Sequence, residues 1–170
     1  MLPVGWLIAA VVVAILLSMW VTFTLTRLDR LHARVDAARA ALDAQLVRRA
    51  VALLHVVEAP GTPLEPGERS ELQAVALAAT TPEGPERREA VENAVGRGVT
   101  RLAGSAGLTA EAAAELREAA ARVQVARRFY NDAVRDTRTL RARRMPRLLH
   151  LAGHVELPQF FDIDDTEPPP

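Results

Sequence analysis

The sequence contains no cysteine and no lysine, and its first 26 residues contain no charged side chain and no histidine. Without cysteine the chain can form neither a disulfide nor a thiolate metal site, and it cannot carry the thioether-linked lipid of a lipoprotein. The uncharged start also lacks the positive segment that opens a secretory signal peptide. No group of residues amounts to a catalytic site, so we expect a protein that is not an enzyme.

Residues 1–26 form the longest apolar run and predict a transmembrane anchor. At about 1.5 Å of rise per residue, a helix of this length crosses a hydrocarbon layer of about 30 Å. No arginine precedes the run, and four follow it closely: Arg27, Arg30, Arg34 and Arg39. Because basic residues concentrate on the cytoplasmic side, we predict a single-pass protein of the cell membrane whose C-terminal domain is cytoplasmic.

The positions of glycine and proline predict where the helices begin and end. Neither residue occurs between Gly5 and Pro60, which predicts one helix that leaves the membrane and continues to about residue 58. Breaker-rich stretches then separate further helices at about 68–81, 85–103 and 109–145. We therefore predict an all-α fold in which the transmembrane helix continues into an up-and-down antiparallel four-helix bundle over residues 27–151. The aromatic, then acidic and proline-rich tail of residues 152–170 is expected to be largely disordered.

The fourth predicted helix has the most regular apolar seam, which gives way to arginine at its C-terminal end. The seam runs through Leu116, Ala119, Val123, Ala126, Tyr130, Ala133, Thr137 and Leu140, and its next two positions are Arg144 and Arg147. Residues 122–147 hold nine arginines against two acidic residues. In an antiparallel bundle this end returns to the membrane, where each arginine could add about 1 kcal/mol of attraction to anionic lipid.

We take Arg138, Arg141, Arg143, Arg144 and Arg147 as the lipid-contacting candidates, with a solvated helix face as the alternative. The aromatic pair Phe160 and Phe161 could enter the membrane interface after them. Nucleic acid is not an expected partner, because the chain has no helix-turn-helix spacing and no aromatic residues interleaved with the arginines beyond Tyr130.

Two histidines near the C-terminus have metal-ligand spacing. His150 and His154 are four residues apart and Glu156 follows, so on a helix both imidazoles could reach one metal ion. Pro146 and Gly153 weaken such a helix, and we expect neither a metal nor another cofactor. A metal- or ligand-dependent regulator or hydrolase that uses His150 and His154 is the alternative function.

Residues 126–134, with the sequence ARRFYNDAV, resemble the signature of the bacterial LemA family. The segments at 34–36 and 42–49 resemble the part of that family that follows its membrane span, and Phe160 with Phe161 resembles its terminal aromatic pair. The resemblance implies one N-terminal span and a helical bundle, with Arg127, Tyr130 and Asn131 as motif positions. The family has no agreed biochemical activity. Because Tyr130 lies on the seam, we interpret its ring as part of the core rather than as a ligand-binding group.

These features predict a non-enzymatic scaffold or adaptor at the inner face of the cytoplasmic membrane. Its expected partners are membrane lipids and another membrane protein. Self-association is a further option, because Ala10 and Ala14 form a small-xxx-small pair within the span. A signalling receptor is a third hypothesis, suggested by the stutter in the apolar seam between Leu42 and Leu46.

Overall fold

The computed structural model describes residues 4–81, 85–142 and 157–164, and within these ranges it contains four helices and no strand. The helices are α1 (Val4–Glu58), α2 (Pro66–Thr80), α3 (Pro85–Ala103) and α4 (Ala110–Arg141). The all-α prediction is confirmed for these residues. Two boundaries differ by more than one residue. Helix α2 begins at Pro66, because the fixed φ of proline suits a first helical turn, and α4 ends at Arg141 rather than near residue 145.

Helix α1 is continuous over 55 residues, as the absence of glycine and proline after Gly5 predicts. Large apolar side chains from Val4 to Phe23 are exposed along its N-terminal part. Helix α1 is long and apolar enough to cross a membrane.

Helix α1 ends where the sequence prevents the next turn. Pro60 cannot donate a backbone hydrogen bond, and Gly61 adopts a φ of 89°, which favours glycine. The Arg69 guanidinium then donates to the carbonyl oxygens of Val57 and Thr62. It thereby satisfies an acceptor that the last turn of a helix leaves without an intrahelical partner.

The chain divides into two compact units, one of residues 1–37 and 132–159 and the other of residues 38–131 and 160–170. In the first unit both helices bury side chains, including Leu28 of α1 and Leu140 of α4, and Arg34 pairs with Asp136 at 3.0 Å. In the second unit all four helices contribute to one hydrophobic core. Its buried members include Leu53 of α1, Ala76 of α2, Val99 of α3 and Leu116 of α4.

Helix α3 approaches its neighbours closely at Gly98. A Cβ atom at this position would lie 2.8 Å from Leu72 Cδ2 and 3.4 Å from Leu53 Cδ2. Both leucines belong to the core of the second unit, so they have little free space into which to move. A larger residue at 98 would therefore force Leu72 to shift within the packed core.

Six of the eight seam positions of α4 are buried, and Ala119 and Ala126 are half-buried. Leu116, Val123, Tyr130, Ala133, Thr137 and Leu140 are all inaccessible or nearly so. Thr109 caps the start of the helix, because its Oγ1 accepts a hydrogen bond from the Ala112 N–H at 3.2 Å. The burial of most of the seam agrees with the sequence prediction.

Candidate functional site

The C-terminal segment, which we define as residues 160–164, lies against α3 and α4 in the second unit. Asn131 of α4 pairs with the backbone of Phe161 in both directions: the Phe161 N–H donates to Asn131 Oδ1 at 3.0 Å, and Asn131 Nδ2 donates to the Phe161 carbonyl at 3.1 Å. A neighbouring β-strand offers an extended chain the same donor and acceptor. The Asn131 amide therefore bonds to the backbone of Phe161 in the way that the edge of a β-sheet would.

Further contacts continue along the segment. The Asp164 N–H donates to Asn93 Oδ1 of α3 at 2.8 Å, and Arg127 Nη1 donates to the Ile163 carbonyl at 3.3 Å. Arg127 Nη1 also lies 3.7 Å from the Asp162 carboxylate. The Ile163 side chain is 4% exposed, so the segment combines one buried aliphatic side chain with backbone hydrogen bonds. We call the surface formed by Asn93, Arg127 and Asn131 the α3–α4 cleft.

Part of the tail that was expected to be largely disordered is described in the structure. Residues 157–164 are placed, and the polar groups of α3 and α4 hold the part from Phe161 to Asp164. Phe161 is half-buried in its own unit, and Asn131 binds its backbone. Residues 152–156 and 165–170 lie outside the described residues.

A buried ion-pair network adjoins the cleft. Glu92 of α3 is 0% exposed, and its carboxylate accepts a hydrogen bond from Arg49 Nη2 at 2.9 Å and one from Arg88 Nε at 3.1 Å. Arg49 also donates to the Glu92 carbonyl at 2.9 Å, and Arg88 pairs with Asp43 at 3.3 Å. A carboxylate buried this deeply needs such partners, because removing its charge from water costs several kcal/mol.

Gly96 of α3 lies between the ion-pair network and the α3–α4 cleft. A Cβ atom built on Gly96 would lie 3.6 Å from Arg49 Nη1 and 3.9 Å from the Asp164 carbonyl oxygen. The buried arginine and the C-terminal segment therefore flank the same position of α3. The network holds in place the helix surface on which the segment lies.

A groove of about 620 Å³ lies between α1 and α4 in the second unit. Its lining is mostly alanine and larger apolar side chains, bordered by Arg48, Glu118 and Arg122. Val125 and Phe129 are 51% and 64% exposed beside it. The Gln45 Oε1 atom is buried in this lining and accepts no hydrogen bond in the structure. The groove therefore presents apolar surface together with an acceptor that a bound group could satisfy.

The structure separates the predicted site residues. Arg127 and Asn131 meet at the α3–α4 cleft, whereas Tyr130 is 4% exposed, which supports its interpretation as a core residue. Arg138 and Arg141 lie half-buried in the last turn of α4. Arg143, Arg144 and Arg147 lie outside the described residues, and lipid contact by the arginine cluster stays a prediction.

The metal alternative falls on residues that the structure does not describe, namely His150, His154 and Glu156. Among residues 4–81, 85–142 and 157–164, no group of three or more His, Asp or Glu side chains could hold a metal ion. The hypothesis of a histidine metal site therefore stays untested.

Three residues were missed at the level of sequence: Asn93 of the α3–α4 cleft, and Arg49 and Glu92 of the buried ion-pair network. Asn93 gave no local signal, because its partner lies 71 residues away along the chain. Arg49 did give one, since it occupies a position where an uninterrupted heptad pattern would place an apolar residue. A basic residue at such a position indicates either an exposed face or a buried counter-charge, and Glu92 is that counter-charge.

The fold and these contacts define the class of protein: in the part of the chain that the structure describes, it is all-helical, with one long apolar N-terminal helix that could span a membrane. Comparison with family models, curated proteins and solved structures found no match. The resemblance to the LemA family therefore stays a prediction carried by the residues quoted above.

Proposed function

We propose that the chain is a LemA-type protein, anchored in the cytoplasmic membrane by α1, that acts as a non-enzymatic scaffold or adaptor at the inner face. The observation that carries this proposal is the exposed apolar surface of α1. Side chains such as Trp6, Ile8 and Val12 are 69%, 60% and 48% exposed. A continuous apolar surface of this extent is typical of contact with lipid or protein rather than water.

Anchoring through α1 predicts that charged residues placed within the span prevent membrane insertion. Placing Val12→Arg and Ile15→Arg together in the centre of the span should prevent stable insertion, since each arginine there costs about 2.5–3.5 kcal/mol. Thr26→Arg is the control, because a basic residue at the cytoplasmic end can reach the interface. The measurement is the fraction of protein that resists alkaline extraction from membranes. Full retention of the double variant would contradict anchoring through α1.

The orientation is tested separately with a C-terminal tag. In spheroplasts treated with external protease, a cytoplasmic tag should stay intact until detergent is added. Cleavage of the tag in intact spheroplasts would reverse the proposed orientation.

The adaptor role is supported by the groove between α1 and α4. Phe129 is exposed at its edge, and the alanines of its lining would let a partner helix approach closely. A photo-crosslinking residue at position 129 should therefore capture a membrane protein of defined mass. The matched control is the same residue at Leu77, an exposed apolar position on α2. Equal products from both sites, or none from position 129, would count against the adaptor role.

The proposal also includes lipid contact by the arginine-rich end of α4, in an up-and-down four-helix bundle supported by the core that all four helices share. Replacing Arg141, Arg143, Arg144 and Arg147 with Gln should lower the amount of anionic lipid that copurifies with the full chain. The matched control replaces four arginines elsewhere: Arg87, Arg97, Arg101 and Arg122. Lipid mass spectrometry provides the readout, and equal lipid content in both variants would exclude this part.

A further inference from the structure

The α3–α4 cleft holds the C-terminal segment mainly by its backbone. Asn131 bonds to the N–H and the carbonyl of Phe161, Asn93 accepts the N–H of Asp164, and Arg127 donates to the carbonyl of Ile163. Every chain in an extended conformation offers these backbone groups. The cleft therefore has the general features of a peptide-binding surface.

Two side chains of the segment add selectivity. Ile163 is 4% exposed, so the cleft accommodates one aliphatic side chain. Asp162 precedes it with its carboxylate 3.7 Å from Arg127, while its side chain is 95% exposed. An acidic residue before a buried aliphatic one thus places its carboxylate near Arg127, while the Asp162 N–H donates to Glu89 Oε1 at 3.5 Å.

We propose that the α3–α4 cleft is a recognition site for an extended acidic peptide of a partner protein, and that the chain's own residues 160–164 occupy it in the absence of that partner. The ligand class is a segment in which an acidic residue precedes an aliphatic one, as Asp162 precedes Ile163. Arg127 supplies the complementary charge, and Asn93 and Asn131 supply the backbone hydrogen bonds.

The contacts also make the internal segment exchangeable. Among residues 157–164 one side chain, Ile163, is buried, and the hydrogen bonds of the segment are part-buried or exposed. A segment of the same chain competes through its high effective concentration rather than through a large interface. A partner peptide with better side-chain contacts can therefore displace it. This site is distinct from the groove between α1 and α4, so it goes beyond the proposed adaptor contact and does not depend on it.

The first test releases the internal segment and supplies it as a separate peptide. The full-length Ile163→Asp variant is reconstituted in nanodiscs, and a fluorescent peptide of residues 157–164 is titrated while its anisotropy is measured. We expect binding to this variant and at least tenfold weaker binding to the wild-type chain, whose cleft is occupied. Adding Asn131→Ala to the variant should weaken binding at least tenfold, and a peptide with Ile163→Asp should not bind.

A second test uses the absence of cysteine and does not depend on the folding of the first variant. Asn93→Cys together with Asp164→Cys places two thiols where the structure joins residues 93 and 164. The oxidised chain should exclude the peptide, and reduction should restore measurable binding. That binding should be weaker than in the Ile163→Asp variant, because residue 93 no longer accepts the Asp164 N–H and the internal segment is still present. If neither the folded Ile163→Asp variant nor the reduced double variant binds the peptide, the cleft binds only the chain's own C-terminal segment and the proposal is wrong.

A second copy of the chain is the competing occupant. Mixing the single Asn93→Cys chain with the single Asp164→Cys chain in one membrane tests exchange between copies. We expect little mixed disulfide dimer under oxidation. A dominant mixed dimer would overturn the assignment to a partner protein, because the segment would then be supplied by another copy.

Discussion

Replacing Glu92 with leucine should destabilise the second unit more than most single substitutions. The carboxylate is fully buried, and the Arg49 side chain is 5% exposed, so the substitution leaves a guanidinium in the core without its counter-charge. Arg49 keeps one hydrogen bond, to the backbone carbonyl of residue 92, and Arg88 keeps Asp43. Breaking a buried pair from one side costs about 3–5 kcal/mol, and these residual bonds place Glu92→Leu near the lower end of that range.

Circular dichroism during heating measures this loss on the full chain in detergent. At about 2–4 °C per kcal/mol for a protein of this size, the unfolding midpoint should fall by roughly 6–12 °C. The control is the double variant Arg49→Leu with Glu92→Leu, which removes both charges from the core. Because paired apolar replacement of a buried ion pair is often neutral or stabilising, its midpoint should return towards that of the wild type.

Two outcomes would refute this account of the network. A fall of less than about 2 °C for Glu92→Leu would mean that Arg49 finds adequate solvation without its partner. A double variant as unstable as the sum of the two single variants would mean that the charges do not act as a pair, since coupled residues depart from additivity.

The remaining predictions concern packing and surface charge. Gly98→Val should destabilise the second unit by about 1–3 kcal/mol, because its Cβ would lie 2.8 Å from Leu72 Cδ2; an unchanged thermal midpoint would contradict close packing there. Gly96→Ala, whose Cβ meets only ordinary contacts, should be neutral or stabilising by up to about 1 kcal/mol in the same assay, and strong destabilisation would contradict this. Arg34→Gln breaks an exposed pair with Asp136 and should change stability by less than about 1 kcal/mol at physiological salt; a larger, salt-sensitive loss would show that the pair is more important than its exposure indicates.

Local sequence determined where the helices of this protein begin and end, because apolar content, helix-breaking residues and caps act over only a few residues. The span and the rest of α1 follow from apolar content and from the lack of glycine and proline before Pro60. Thr109 at the start of α4 is equally local, since a cap bonds to an amide three residues away.

Only the tertiary structure decided how the polar residues of these helices pair. Arg49 and Glu92 are 43 residues apart along the chain, so no local pattern joins them, although both become buried. The same is true of the C-terminal segment, because no local pattern indicates that residues 160–164 lie against α3 and α4. Composition describes how little apolar surface a segment can bury by itself. It carries no information on Asn131, which lies 30 residues from Phe161 and supplies the backbone hydrogen bonds that hold the segment in place.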